Sequence, residues 1–195
     1  MIFCRLDLYF FPILDIYTPI DRTILGYKEL FSPIRRFSMK KAAVIHDLSG
    51  FGKCSLTAAI PVLSALGVQC CPVATAVLTG QTGYPCYHCT DLTTMLPDYI
   101  DAWGKNNAHF DAIYSGFLTG AEQISQVLDF IRQFREEHTL LLVDPVMGDD
   151  GNAYPFFTPG LLNGMKELTL EADVITPNLT EACLLADIPE DALLH

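Results

Sequence analysis

The chain has 195 residues, half of them apolar, which is enough for one domain with a full core. Its formal net charge is −11, with seven basic against nineteen acidic residues in 40–195, and this argues against a nucleic-acid backbone or an anionic membrane as partner. A small phosphorylated ligand, which needs only local donors or a bound metal, stays open. Seven cysteines, at 4, 54, 70, 71, 86, 89 and 183, form no regular spacing and suit reduced thiols in a cytosolic protein.

Residues 1–38 carry prolines at 12, 19 and 33 and charges at 5, 7, 15, 21 and 22, so they read as neither signal peptide nor membrane span. They are expected to be an upstream extension without fold. Met39 directly precedes Lys40-Lys41-Ala-Ala-Val-Ile, the expected opening of the domain at 39–195. A first strand is predicted over 42–46. The turn Asp47-Leu-Ser-Gly-Phe-Gly-Lys53 then leads into a helix with Leu56, Ala59, Ile60, Leu63 and Leu66 at helical spacing, closed by Gly67. Pro61 speaks against an unbroken helix there. A strand over 68–78 and the loop Thr79-Gly-Gln-Thr-Gly-Tyr84 follow. A strand at 111–115 leads to a capping box, Thr119-x-x-Glu122, and a helix burying Ile124, Val127, Leu128, Ile131 and Phe134.

The run 139–143, Thr-Leu-Leu-Leu-Val, reads as a strand buried on both faces, and Asp144-Pro145 stops it because proline donates no ladder bond. Asp144 is thereby placed at the carboxyl end of a core strand, where ligands of open α/β sheets bind. The Gly-Asp-Asp-Gly loop at 148–151 is either a cation or phosphate site or a plain turn. Leu161, Leu162, Met165 and Leu168 mark another helix, 173–176 another strand, and Asn178 and Glu181 an N-cap and N3 pair opening a helix over 180–186. The alternation implies a mostly parallel sheet with helices on both faces.

Several motifs fall short of their chemistry. Gly50-Phe-Gly-Lys-Cys-Ser55 lacks the hydroxyl after lysine that a Walker loop needs and the third glycine of a dinucleotide fingerprint. Backbone N–H groups at such a helix start still favour an anion. Cys86-Tyr-His-Cys89 has no second Cys/His pair to complete a zinc site, which leaves a thiol redox pair as its other reading. Carboxylates and hydroxyls after the strands ending at 143 and 176 suit Mg²⁺, a hard ion with oxygen ligands.

Five segments in this order, Ala43-Val-Ile-His-Asp-Leu-Ser-Gly-Phe-Gly52, Thr79-Gly-Gln-Thr-Gly-Tyr84, Ser115-Gly-Phe-Leu118, Asp144-Pro-Val-Met-Gly-Asp149 and Ile175-Thr-Pro-Asn-Leu-Thr-Glu181, resemble the pyridoxal/pyridoxamine kinases of the ribokinase-like superfamily. Hydroxymethylpyrimidine kinases share much of the last two. The resemblance implies a ribokinase-like α/β fold and ATP- and Mg²⁺-dependent phosphorylation of the 5'-hydroxymethyl group of a B6 vitamer, in a cytoplasmic homodimer. It puts Asp47, Thr82 and Gly83 on the substrate side. Asp144, Thr176 and Glu181 fall on the ATP side, with Asp144 and Glu181 toward the metal and Asp149 and Asn178 in support. Asp47 replaces the family's usual hydroxyl, and Phe117 stands where many members have tyrosine, so a pyrimidine acceptor remains the alternative. Family members continue beyond the helix at 180–186 to a Gly-x-Gly-Asp segment whose aspartate is the base. No Gly-x-Gly-Asp occurs in these 195 residues, so the sheet is expected to be incomplete, no residue takes the base role, and a non-catalytic fragment is the further alternative.

Overall fold

A computed structural model describes residues 39–189; the expectation for 1–38 lies outside them. In chain order the elements are β1 (Lys41–Ser49), α1 (Ser55–Ala65), β2 (Gln69–Leu78), β3 (Cys89–Asp91), a 3-10 turn (Thr93–Met95), α2 (Leu96–Lys105), β4 (Ala112–Ser115), α3 (Ala121–Phe134), β5 (Leu140–Val143), β6 (Gly148–Asp149), β7 (Asn152–Ala153), α4 (Pro159–Glu171), β8 (Val174–Ile175) and α5 (Leu179–Ala186). Six strands form one sheet in the order β3-β2-β1-β4-β5-β8. All neighbours are parallel except β2 and β3. The carboxyl ends of β1, β4, β5 and β8 therefore share one rim, where the loops that carry chemistry emerge.

The core lies between the sheet and α2, α3 and α4. Ala43, Ile45, Ile113, Leu141 and Val143 face it with no measurable exposure, and α3 covers them with Ile124, Val127, Phe130 and Ile131. Trp103, Phe110, Phe130 and Phe134 join through edge and tilted ring contacts with centroids 4.6 to 6.1 Å apart. Such pairs add to the burial of their large areas. The opposite face carries α1 over Ala42 and Val44. Among the described residues no helix is long and apolar enough to cross a membrane.

At three places the structure decides or corrects the local reading. Pro61 sits inside α1 and the helix runs through it, closing at Gly67, whose φ of +75° is the left-handed geometry glycine tolerates. The capping box Thr119-x-x-Glu122 does not form: Gly120 is the N-cap, and the buried Gln123 side chain takes over. Its Oε1 accepts from Thr119 N–H at 2.9 Å, while its Nε2 donates to Thr75 C=O at 2.8 Å and Thr93 Oγ1 at 3.1 Å. A buried amide must spend its donors, and here it spends them tying α3 to β2 and the 3-10 turn. Finally, the Gly-Asp-Asp-Gly loop is a hairpin turn between β6 and β7, with Asp150 and Gly151 at φ +49° and +73°. This is the two-residue turn that Asp-Gly favours.

Candidate active site

The end of β1 supplies the first wall. Asp47 and Ser49, two residues apart on one strand, point the same way, and both are buried. Ser49 Oγ donates to Asp47 Oδ2 at 2.7 Å. These two line a cavity of about 140 Å³ with Cys54, Thr82, Phe117 and Tyr154. The loop at 79–84 is stitched over it: Gln81 N–H donates to Phe51 C=O at 2.9 Å, and the Phe51 and Tyr84 rings meet at 4.9 Å. Thr82 reaches the cavity wall; Gly83 lies in the same loop outside the lining.

The second wall is built from the ends of β5 and β8. Asp144 Oδ1 accepts from Thr176 Oγ1 at 3.2 Å, which links the two strand ends. Glu181, 4% exposed, accepts from Met147 N–H through Oε1 at 3.1 Å and from Asn178 N–H through Oε2 at 2.9 Å. Asn178 returns the bond, its Oδ1 accepting from Glu181 N–H at 2.9 Å, and its Nδ2 donates to Gly148 C=O at 2.8 Å. The capping pair read in the sequence thus forms and also fastens the Asp144–Gly148 loop. A Cβ on Gly148 would stand 2.4 Å from Asn152 C=O, so the hairpin admits only glycine there. Asp149 is exposed and caps the Asp150 N–H at 2.9 Å.

Burial raises the Asp144 carboxyl above its ordinary range, against the pull of the Thr176 bond. Burial also raises Glu181, and the Asp144 charge adds to it, while the backbone donors at Asn178, Met147 and Gly148 act the other way. Tyr154, which lines the cavity with Asp47 and Ser49, is raised by burial and then by Asp149, Glu181, Asp144 and Asp150. No cluster of three or more metal-ligating side chains occurs among the described residues. Asp144, half-buried and with one oxygen outside the bond to Thr176, could hold Mg²⁺ together with phosphates and water, while Glu181, buried and with each oxygen accepting from a backbone N–H, could serve the ion only through water.

A carboxyl raised in the fold is more stable protonated, and that advantage is lost as pH rises through its folded pKa. Asp144→Asn is therefore expected to raise the melting temperature at pH 7 by roughly 2–4 °C, the shift of about 1 kcal/mol in a chain of this size. The gain should vanish as pH falls toward about 4, where aspartate itself is protonated. Thermal melts from pH 4 to 8 check this, and equal melting of both proteins at pH 7 would contradict it.

Ser49 and Tyr154 were not singled out from the sequence. The period of two from Asp47 points to Ser49, and the Asp-Gly hairpin points to Tyr154, which follows β7. Cys86 and Cys89 are both free. Burial and the carboxylates of Asp91 and Asp47 raise Cys89, the reverse of a reactive thiolate.

Residues 52–193 match the family described as Phosphomethylpyrimidine kinase. A pyridoxine/pyridoxal/pyridoxamine kinase of Bordetella avium is 33% identical over 69% of this chain and 47% of its own. A Bacteroides thetaiotaomicron protein described as a phosphomethylpyrimidine kinase, crystallised with pyridoxal, superposes with a TM-score of 0.77 at 46% identity, over 80% of this chain and 56% of its own. Pyridoxal kinase from Lactobacillus plantarum gives 0.72 at 35% identity, over 78% and 54%. The chain spans about half the length of the curated relatives it matches. With well over half of its residues matched to the family as a whole, the chain belongs to the phosphomethylpyrimidine kinase family, in which pyridoxal kinases are among its relatives.

Proposed function

We propose that this chain carries the acceptor pocket and the metal–nucleotide rim of a kinase that moves the γ-phosphoryl group of ATP to the 5'-hydroxymethyl group of a B6 vitamer. The observation that carries the reading is the adjacency of two cavities that share Cys54, Ser55 and Val146 in their walls, one ending at Asp47 and Ser49 and the other at Asp144. The hydroxymethyl oxygen of an acceptor in the first would face the γ-phosphorus of a nucleotide at the second. In the transfer the oxygen–phosphorus bond forms, the bond to the β,γ-bridging oxygen breaks, and ADP leaves. Mg²⁺ bound at the rim would offset the charge on the transferring group. Asp47 orients the acceptor, Phe117 and Tyr154 wall it from water, and Glu181 keeps the Asp144–Gly148 loop in register. The hydroxyl proton needs a base, and no residue of this chain is assigned to it.

The acceptor's identity turns on Asp47. A carboxylate accepts from an amine or ring N–H more strongly than a hydroxyl does, so pyridoxamine should be preferred to pyridoxal. The family match, described by a pyrimidine substrate, supports an aminopyrimidine as the second reading. Titrating pyridoxal, pyridoxamine and 4-amino-5-hydroxymethyl-2-methylpyrimidine into the 195-residue chain, followed by absorbance or heat, tests both. Saturable binding is expected, with the amine-bearing ligands favoured and Asp47→Ser narrowing that preference by roughly tenfold or more, the worth of a charged hydrogen bond. Equal discrimination in the two proteins would contradict the assignment of Asp47, and absence of binding by all three would contradict the function.

A further inference from the structure

The turn Gly50-Phe-Gly-Lys-Cys-Ser55 joins the end of β1 to the start of α1. Its backbone is fixed on both sides of Lys53: Gly50 N–H donates to Leu78 C=O at 2.9 Å, and Thr57 Oγ1 accepts from Cys54 N–H at 3.2 Å and donates to Cys54 C=O at 2.7 Å. The Lys53 side chain is exposed. Five of the seven Lys and Arg side chains among the described residues pair with carboxylates, and Lys53 is not one of them. The other unpaired cation, Lys41, opens β1 and so lies at the amino end of the sheet. Among the described residues, Lys53 is thus the one unpaired cation at the carboxyl rim. The first turn of α1 holds no acidic residue that could claim it. The rim itself is negative, with Asp47, Asp144 and Glu181 at least half-buried there and Asp149 exposed. An anion brought to such a rim is repelled unless a cation stands by.

We propose that Lys53 meets the phosphoryl group as it passes from nucleotide to acceptor, and so distinguishes a phosphorylated ligand from an unphosphorylated one. The next two residues, Cys54 and Ser55, wall both the acceptor cavity of about 140 Å³ and its neighbour of about 420 Å³, so the group crosses beside them. A lysine carries a compact charge on a flexible four-carbon stem, which suits a backbone that is fixed and a ligand that shifts. Its ammonium would lie first against the γ-phosphate and then against the phosphate ester of the product. It forms no covalent bond with the group and moves no proton; it supplies charge where negative charge is handed over. This role deepens the kinase reading and rests on it for the position of the phosphoryl group. It does not depend on which ring the acceptor carries.

Calorimetric titration of the full 195-residue chain with pyridoxamine, pyridoxamine 5'-phosphate and inorganic phosphate at low salt tests this. The amine pair is used because an aldehyde would itself condense with a lysine. In Lys53→Ala and Lys53→Gln the affinity for the ester relative to pyridoxamine should fall about fivefold or more, the worth of an exposed ion pair at its strong end. Pyridoxamine itself should move by less than about twofold, and Lys53→Arg should keep the ester's relative affinity. Lys41→Ala removes the same charge from the far end of β1 and should leave the ratio intact. The difference between wild type and Lys53→Ala should shrink at about 1 M salt, where charges are screened within about 3 Å. A ratio unchanged in Lys53→Ala, or lowered equally in Lys41→Ala, would overturn the role. So would an equal loss for pyridoxamine, which a merely structural lysine would give. Should pyridoxamine fail to bind while inorganic phosphate binds and weakens in Lys53→Ala, the acceptor assignment falls and Lys53 keeps its role. Should pyridoxamine bind and its phosphate ignore Lys53, the reverse holds. Absence of binding by all three ends both.

Discussion

Gly116→Ala is expected to cost the chain about 3 kcal/mol or more, lowering its melting temperature by roughly 6 °C or beyond. A Cβ at 116 would stand 1.7 Å from His46 Cε1, 2.2 Å from Nδ1 and 2.5 Å from Nε2. The ring has little room to retreat, because it is 3% exposed and meets Tyr114 edge-on with centroids 4.4 Å apart. The loop after β4 therefore needs glycine for close approach, which gives the Ser115-Gly-Phe-Leu118 motif a physical reason. The double variant supplies the control: in a His46→Ala background, Gly116→Ala should cost less than about 1 kcal/mol. Similar costs in both backgrounds would show that the ring is not what the glycine accommodates.

The same ring sets an acid limit. Among the described residues neither of its nitrogens has a hydrogen-bond partner, and burial lowers its pKa from 6.5 to about 4. The unfolded chain binds the proton first, so stability is full above pH 6.5 and is lost as pH falls toward 4, by roughly 3 kcal/mol in all. His46→Ala should flatten that limb of the stability profile.

Glu181→Ala is expected to lose about 2–4 kcal/mol of stability, and Mg-ATP affinity with it. The carboxylate serves the backbone N–H groups of Met147 and Asn178, and its removal leaves both donors buried without their acceptor. The Asp144–Gly148 loop and the start of α5 would then come apart at the rim. Glu181→Gln keeps one acceptor but turns an amide toward the other donor, so an intermediate loss is expected. Chemical denaturation and nucleotide titration check both variants. A stable Glu181→Ala chain with unchanged Mg-ATP affinity would remove Glu181 from the site.

The elements legible in the sequence are those whose physics is local. The apolar run 139–143 reads as a core strand, and Pro145 fixes where it stops, which places Asp144, but the expected burial of both faces is met on one only: Leu141 and Val143 are fully buried, whereas Leu142 is half-buried and Leu140 is 46% exposed. Asn178 and Glu181 read as a cap because the spacing of three is itself the geometry. Strand β3 spans only Cys89–Asp91, too short to show a period, and α2 carries Pro97 and Gly104, which speak against a helix although Leu96, Tyr99, Ile100 and Trp103 recur at helical spacing. The cap of α3 escaped because Gln123 reaches back from one residue beyond the expected position. The exposure of Leu140 is invisible for a deeper reason: Leu140 and Leu141 look the same in sequence whether or not anything covers them.

The measurement that tests the central claim most directly is steady-state phosphoryl transfer from ATP to pyridoxal and pyridoxamine, by the chain alone and by the chain fused to the uncovered part of the Bacteroides relative. The account predicts no measurable transfer by the chain alone. It predicts turnover by the fusion that falls by about 100-fold or more in both Asp47→Ala and Asp144→Ala, Asp47 through acceptor use and Asp144 through Mg-ATP. Turnover by the chain alone, or a fusion indifferent to both substitutions, would contradict it.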